Sequence, residues 1–326
     1  MLDSGVLPKK GTPAMSVSTI TARFISSVAL ASAMTVVHAD VLEIDLGGAA
    51  VYSFNDFKSG SGRVDGSILA GRDISLANYS VNTSKNSAYG DYAVVAGRDF
   101  TFTGGSVDHG STYVGGTSYL NQSGTLKGPV ITGAAPADLN ALATSLTQTS
   151  KALAALTPTA STEQKWNGIF INGTNSQVEV INLDASWLDS SSWYSFSNLS
   201  AGATLIVNFL GDSATFKGGF SAFDGYNVLF NFADATTLNF QNGFNANVLA
   251  PKATVTGGSG TIYGTVVVND WNSSVTIGNA VGGGFAAVDV PGLELVATAV
   301  PEAQTWAMLL AGLGLMGVVA RRRKSA

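Results

Sequence analysis

Ile68-Leu69-Ala70-Gly71-Arg72-Asp73-Ile74-Ser75-Leu76 decides the fold of this chain, because its pattern returns 26 residues later as Val94-Val95-Ala96-Gly97-Arg98-Asp99-Phe100-Thr101-Phe102. Each copy is a short apolar segment, a tight turn at glycine, and a second segment in which apolar and polar residues alternate. A third copy at residues 248–256 keeps the order of strand, turn, cation and strand. Stacked turns of this size build a parallel β-solenoid. We therefore predict a mainly β, solenoid-like domain. A β-sandwich is the alternative, because fixed-period repetition is limited to these copies.

The turns of the first two copies carry paired charges, Arg72-Asp73 and Arg98-Asp99. These charges are compatible with a stacked ladder, with a binding patch or with solvated turns, and solvated turn charges are the favoured interpretation. Further alternating segments follow between residues 178 and 277, and the asparagines within them are suited to ladders.

One segment interrupts the β pattern with helical spacing. Between Pro136 and Pro158 the apolar residues mostly recur at steps of three or four, and Pro136 followed by Asp138 suits a helix start. We predict one amphipathic helix at about residues 136–157, which packs on the sheet or caps an open end of the solenoid. The residues that carry the spacing are Leu139, Leu142, Ala143, Leu146, Ala152, Leu153 and Leu156.

The first 39 residues are typical of an export signal with an upstream extension. Within residues 15–39, Arg23 supplies a positive region, an apolar stretch follows, and Ala39 is the small residue that signal peptidase requires. We expect cleavage between Ala39 and Asp40, with a cut after Ala33 as the alternative. Residues 1–14 are interpreted as an extension from an early start codon, or as a lengthened positive region.

The last 27 residues are typical of a membrane segment. No residue from Ala303 to Ala320 carries a charge, and an 18-residue helix of about 27 Å can cross a thin hydrocarbon core. The cations that follow favour the cytoplasmic side, which places the preceding chain outside the cytoplasm. The residues that define this segment are Pro301, Glu302, Trp306, Arg321, Arg322, Arg323 and Lys324.

This tail resembles the PEP-CTERM sorting signal of Gram-negative bacteria that secrete exopolysaccharide. The resemblance implies an exosortase-type transpeptidase as a partner, transient anchoring in the inner membrane, and a final place at the cell surface, the outer membrane or the extracellular matrix. Ala303 stands where the family motif has its second proline. An ordinary C-terminal membrane anchor is the alternative.

The composition between the two ends limits the possible functions. Residues 40–300 hold 10 Lys and Arg against 20 Asp and Glu, a net charge of about −10. Such a charge argues against nucleic acid as a partner, because phosphate binding needs a basic surface. The chain has no cysteine, which excludes disulfides, thiol catalysis and cysteine metal sites. We divide the remainder into a β domain at 40–290, a linker at 291–299 and the sorting segment at 300–326.

The β domain also resembles a known family. The stretches at 227–238, 243–253 and 260–268, together with 64–66 and 70–73, resemble the choice-of-anchor A domain over about residues 47–285. Members of that family are surface adhesins that carry different C-terminal anchors. The resemblance implies an exported adhesin that binds exopolysaccharide or surface proteins and is linked to biofilm.

Candidate chemistry is sparse in the β domain, and we assign no catalytic residue, cofactor or metal. The one histidine after the signal, His109, lies in a glycine-bounded stretch typical of a turn, and no recognisable nucleophile motif accompanies it. A sugar-facing patch is the strongest candidate site, because aromatic faces stack on sugars. Two alternatives to an adhesin are a carbohydrate-active enzyme on a β-helix and a purely structural coat protein. The candidate glycan-facing residues are Asp184, Trp187, Asp189, Trp193 and Tyr194.

Overall fold

The computed structural model describes residues 41–121, 123–279 and 284–295. Nearly half of these residues belong to short strands, and strands such as Ile74–Leu76 and Phe100–Phe102 alternate buried and outward side chains as the sequence predicts. The elements in chain order are β1 (Val41–Leu42), β2 (Val51–Ser53), β3 (Phe57–Ser59), β4 (Gly62–Gly66), β5 (Ile68–Ala70), β6 (Ile74–Leu76), β7 (Tyr79–Asn86), β8 (Tyr92–Ala96), β9 (Phe100–Phe102), β10 (Gly105–Val107), β11 (Ser111–Val114), β12 (Ser118–Leu120), β13 (Gly124–Leu126), β14 (Val130–Ile131), α1 (Leu139–Ala154), β15 (Ser161–Lys165), β16 (Gly168–Asn172), β17 (Val178–Asp184), α2 (Trp187–Ser190), β18 (Trp193–Ser197), β19 (Thr204–Leu210), β20 (Ser213–Phe216), a 3₁₀ turn (Ser221–Phe223), β21 (Asn227–Asn231), β22 (Thr237–Phe240), β23 (Asn247–Thr256), β24 (Thr261–Tyr263), β25 (Val266–Asn272), β26 (Thr276–Gly278) and β27 (Val288–Asp289).

Most of these strands stack in parallel along three faces of a β-solenoid, while β15, β16 and β18 form a separate sheet and β1 pairs antiparallel with β27. This architecture confirms the predicted fold; the β-sandwich alternative was wrong. The strands of each face are hydrogen-bonded in the following order. The covered face runs β14-β11-β8-β5-β2-β25-β23-β21-β19-β17, the open face runs β12-β9-β6-β3-β25-β23-β22-β20, and the third face runs β13-β10-β7-β4-β26-β24. The long strands β23 and β25 turn the corner and contribute to both the covered and the open face.

The repeated sequences occupy neighbouring rungs of this solenoid. Ala70 pairs with Ala96 on the covered face, and Ile74 pairs with Phe100 on the open face. The third copy lies within β23 on the same sheet, separated from the first copy by β25 and β2. The sequence repeat is therefore a repeat of the backbone path.

The chain does not build the solenoid from one end to the other. The first rung of the N-terminal half, β2, pairs with β25 from the last rung of the C-terminal half. The first half grows outward from this junction, and the second half starts at the far end and grows back toward it. The two ends of the domain also meet, since Val41 in β1 pairs with Asp289 in β27.

Helix α1 carries the chain from one half of the solenoid to the other along the covered face. It begins after Asp138, whose side chain accepts a hydrogen bond from the Ala141 N–H at 3.0 Å. Its 16 residues extend about 24 Å, which matches about five rungs. The covered face presents to it an apolar surface that includes Tyr113, Val95, Leu69, Tyr52, Val267, Leu249, Leu229, Ile206 and Val180.

A buried asparagine ladder fixes the end of this helix on the covered face. Asn231 donates to the Asn208 Oδ1 at 2.8 Å, and Asn208 donates to the Asn182 Oδ1 at 3.2 Å. Asn231 also accepts from the Ser150 hydroxyl at 2.6 Å, while Asn208 donates to the Leu153 carbonyl at 2.9 Å. Because Asn208 and Asn231 are buried, their bonds prevent unpaired polar groups in the core. The ladder thereby defines one position of the helix along the solenoid.

Aromatic rings fill the interior of the second half. Phe216 lies 4.7 Å from Phe240 and 5.1 Å from Phe244 between ring centroids, and Phe209 stacks on Phe232 at 4.6 Å. This packing supplies a core without disulfides.

The predicted terminal segments lie outside the described residues. These are the signal cleavage at Ala39 and Asp40, and the tail that contains Pro301, Glu302, Trp306 and Arg321 to Arg323. Within the residues that the structure describes, no helix has the length and apolar character needed to cross a membrane.

Replacement of Gly97 by alanine should test the stacking of the rungs. A Cβ atom at Gly97 would lie 2.2 Å from the Gly71 carbonyl oxygen of the rung beside it. We expect Gly97→Ala to lower the free energy of unfolding by about 1–3 kcal/mol in urea titrations. Gly60→Ala is the matched control, because a Cβ there meets nothing within 4 Å. Equal stability of the two variants would contradict the stacking argument.

Acidification should reveal the contribution of Glu179, which is fully buried. Burial by itself would raise the pKa of this carboxyl, but hydrogen bonds from Thr159, Thr174 and Ser176 outweigh it and lower the pKa below the ordinary value of 4.5. The stabilisation is therefore complete above about pH 5 and is lost as the pH falls through the folded-state pKa. We expect Glu179→Gln to cost about 1–3 kcal/mol at pH 7 and to unfold with less pH dependence between pH 6 and 3.

The control for this measurement is Glu43→Gln, because Glu43 is exposed. Its free energy of unfolding should change by less than about 0.5 kcal/mol. An unaltered pH dependence in Glu179→Gln would show that other groups control the acid response.

Candidate functional site

The open face is the most extended candidate surface, and it presents two columns of outward polar side chains. Eight strand segments at about 4.8 Å spacing make each column about 34 Å long. The central column is Tyr119, Thr101, Ser75, Lys58, Asn272, Thr256, Asn239 and Thr215. The flanking column, at the corner with the covered face, is Thr117, Asp99, Asp73, Asp56, Asp270, Thr254, Thr237 and Ser213.

Strand alternation directs these side chains outward. In β6, Ile74 and Leu76 are buried while Ser75 between them is half-buried, and β9 repeats the pattern around Thr101. Because the registers of neighbouring rungs match, the hydroxyl and amide groups recur at the strand spacing. The face therefore offers hydrogen-bond donors and acceptors in a fixed, regular array.

Stacked aspartates hold the flanking column in place. The Oδ1 atoms of Asp270, Asp56 and Asp73 accept from the backbone N–H of Asp56, Asp73 and Asp99 at 3.1, 3.3 and 3.2 Å. The ladder ends where Asp99 accepts from the Thr117 N–H at 2.8 Å. The interpretation of these charges as solvated turns was wrong for the aspartates, because each one braces the next rung.

Cations partly neutralise this ladder. Arg98 forms a two-point ion pair with Asp73, and Lys58 pairs with Asp56 at 2.8 Å. The Arg98 hydrogen bond is the main reason that the pKa of Asp73 is lowered, with a further contribution from the Asp99 N–H. The aspartate is thus held in its charged form, which keeps the column ordered.

The predicted glycan-facing residues of the α2 region have local partners. Asp184 accepts from the Ser186 N–H at 2.9 Å and from its hydroxyl at 2.7 Å, and these bonds lower the pKa of the Asp184 carboxyl. Asp189 forms an ion pair with Lys217 at 2.5 Å. Trp187 is half-buried and packs against the hydrophobic core.

The two predicted aromatic residues of β18 point to opposite sides of their strand. Tyr194 is 8% exposed and packs against Phe220 and Phe223, at centroid distances of 5.3 and 4.9 Å. Trp193 is 39% exposed and lies 5.0 Å from Phe170. The sugar-binding role of these residues stays a prediction.

The structure brings Trp193 together with residues that the sequence analysis did not select. Lys165, Trp166, Phe170 and Trp193 form a cluster, here called the hairpin patch, around the β15–β16 hairpin. The sequence offers only a weak signal for this hairpin. Its two turn residues are Trp166 and Asn167, and they are not the Asn-Gly pair that strongly favours such a turn. The parallel pairing of β16 with β18 could not be deduced from spacing.

His109 is held in the fold by contacts with Asn82. Its Nδ1 lies 3.0 Å from the Asn82 carbonyl oxygen, and Asn82 donates to the His109 carbonyl at 2.9 Å. The neighbouring Asp108 pairs with Lys127 at 2.7 Å. Among the described residues, no group of three or more potential ligands could hold a metal ion.

Two families of known proteins match the chain. The family described as Putative Ice-binding-like adhesive domain matches residues 46–279, and the one described as PEP-CTERM protein-sorting motif matches residues 299–324. The first match runs from just before β2 to just after β26. The second confirms the sorting signal predicted at the tail. No curated protein and no solved structure matches the chain.

Proposed function

Since the chain belongs to the Putative Ice-binding-like adhesive domain family, we propose that it is a non-enzymatic adhesin whose open face binds polysaccharide outside the cell. The adhesive domain and the sorting motif together support a protein exported to the cell surface, and the motif implies processing by an exosortase during export. We also propose that the chain belongs to the choice-of-anchor A group, that it is located at the surface or in the matrix of a Gram-negative bacterium, and that it is linked to biofilm. Exopolysaccharide is the proposed partner.

The regular polar columns of the open face carry this proposal. A polysaccharide repeats its hydroxyl groups along the chain, and the face repeats Thr, Ser and Asn side chains along the rungs. Each hydrogen bond contributes only about 0.5–1.5 kcal/mol. Many such contacts on clustered copies of the adhesin add up through avidity.

The composition of the open face favours a polysaccharide over a protein partner. The cores of protein interfaces are rich in aromatic and other apolar side chains. The central column of the open face contains one aromatic residue, Tyr119, at its end. A hydrated, hydroxyl-rich polymer matches this surface better.

Ordered water is a second candidate ligand, favoured by the even spacing of the columns and by the ice-binding-like description of the family. Ice binding would appear as thermal hysteresis and altered crystal growth in solutions of the protein. Lys58 lies within the central column, and Arg72 and Arg98 lie beside the flanking column. These cations interrupt a match to an uncharged lattice.

A bulky cation in the middle of the central column should weaken glycan binding. We expect Ser75→Arg to reduce binding of the exported protein to exopolysaccharide from the producing cells by about fivefold or more, because the side chain separates the ligand from the rungs beside it. Ser80→Arg is the matched control: Ser80 has the same half-buried position between two buried residues, but on the third face. Binding would be measured with the glycan immobilised on a surface and the protein in solution.

The same experiment separates the competing functions. Equal binding by both variants would remove the open face from the proposal, and the lack of saturable binding would favour a structural coat. An enzyme would release reducing or unsaturated sugars from the glycan, with loss of turnover in Asp184→Ala.

Mapping of the C-terminal peptide should reveal processing of the tail. We expect a terminus between Pro301 and Gln304 in protein recovered from the cell surface or medium, and a larger cleaved fraction in Ala303→Pro, which restores the proline that the motif lacks. Ala287→Pro, outside the matched motif, should leave the fraction unchanged. An intact terminus at Ala326 in both proteins would indicate a permanent membrane anchor.

A further inference from the structure

The hairpin patch is built on a turn with an unusual backbone. Lys165 pairs with Gly168 across the β15–β16 hairpin, so Trp166 and Asn167 form its two-residue turn. Both have positive φ, 51° and 60°, in the left-handed region that two-residue hairpin turns require. Asparagine tolerates this conformation, whereas a bulky tryptophan rarely adopts it. The Trp166 side chain is nevertheless 78% exposed, so burial of its ring does not offset the strain.

The neighbouring rings are held in fixed positions. Phe170 lies between the two tryptophans, with centroids 6.0 Å from Trp166 and 5.0 Å from Trp193, and meets each ring nearly at a right angle. Trp193 packs closely over Gly168, since a Cβ atom there would lie 2.5 Å from its ring. Lys165 lies over the rings of Trp166 and Phe170, at 5.1 and 4.7 Å from their centroids. The patch is therefore preorganised, which lowers the entropy lost when a ligand binds.

The surroundings of the rings are polar and nearly neutral. The Lys165 charge is paired with Glu163 at 2.6 Å. On the opposite, buried side of the hairpin, Gln164 donates to the hydroxyls of Ser190 and Ser191, at 2.8 and 2.9 Å, and holds the strand in place. Asn167 donates to Ser192 at 2.6 Å. The aromatic rings are thus bordered by the Asn167 amide and the Ser192 hydroxyl, which can exchange their bond for bonds to a ligand.

We propose that the hairpin patch is a second binding site, separate from the open face, for the pyranose rings of a neutral polysaccharide. The apolar C–H faces of a sugar would stack on the exposed tryptophans, and the Asn167 amide and the Ser192 hydroxyl at the border would bind its hydroxyl groups. The paired charges give no preference for a polyanion. Three rings are also too small an area for a stable protein interface, which buries about 1,200–2,000 Å².

The test uses the exported protein and a variant that keeps the turn. Trp166→Asn removes the ring and places in the turn a residue that accepts positive φ. We expect wild-type protein to be retarded in native gels that contain hydroxyethylcellulose or dextran, with quenching or a shift of tryptophan fluorescence. Trp166→Asn should weaken this binding about tenfold or more. Its melting temperature should stay equal or rise, which a merely structural tryptophan would not allow.

Two controls separate this site from the open face. Tyr119→Ala removes another exposed aromatic ring, at the end of the open face, and Ser75→Arg obstructs the centre of that face. Both should bind the neutral polysaccharides as wild type does. If Ser75→Arg also retains native exopolysaccharide binding, the open-face proposal fails while the hairpin patch stands.

The proposal is overturned if neither neutral polysaccharide retards the wild-type protein, or if Trp166→Asn binds equally well. Stronger retardation by alginate would assign the patch to a polyanion instead. A wild-type dimer that dissociates in Trp166→Asn, measured by sedimentation, would identify the patch as a protein contact.

Discussion

The identical path of neighbouring rungs is the constraint on which the rest of this structure depends. Parallel ladders require each rung to follow the one before it, and at the corners the backbones approach so closely that only glycine fits. A Cβ atom at Gly71, Gly97 or Gly115 would lie 2.1 to 2.3 Å from the carbonyl oxygen of the adjacent rung. These contacts align the aspartates at the same corner. The regular spacing of the outward side chains on the open face follows from that alignment.

The regular backbone explains how a chain without cysteine presents an ordered surface outside the cell. Main-chain ladders and stacked phenylalanines fix the framework, and Asp73, Asn208 and Asn231 connect it through side-chain hydrogen bonds. A surface of this kind recognises a partner by spacing, whereas the hairpin patch offers shape and aromatic area at a single point.

Local patterns made much of the fold predictable. Repetition at residues 68–76 and 94–102 indicated neighbouring rungs, and Pro136 with Asp138 indicated the helix, which begins at Leu139. The order of the rungs was not predictable, because any parallel strand can pair with another and the pairing of β2 with β25 depends on the path of the whole chain. The candidate sites were harder to predict from the sequence for the same reason. Trp166 and Trp193 meet only because β16 pairs with β18, and burial of Glu179 and Tyr194 depends on loops that close over them.

The pairing of β1 with β27 has a mechanical meaning for an anchored protein. The residues that enter and leave the domain are adjacent, and β2, which follows soon after, lies at the middle of the covered face. A tether attached to these terminal residues pulls on the solenoid near its middle. If a polymer binds along the open face as proposed, its tension would be shared between the two halves of the solenoid, which meet at the junction of β2 and β25. Each half would then carry only part of the load before its rungs separate.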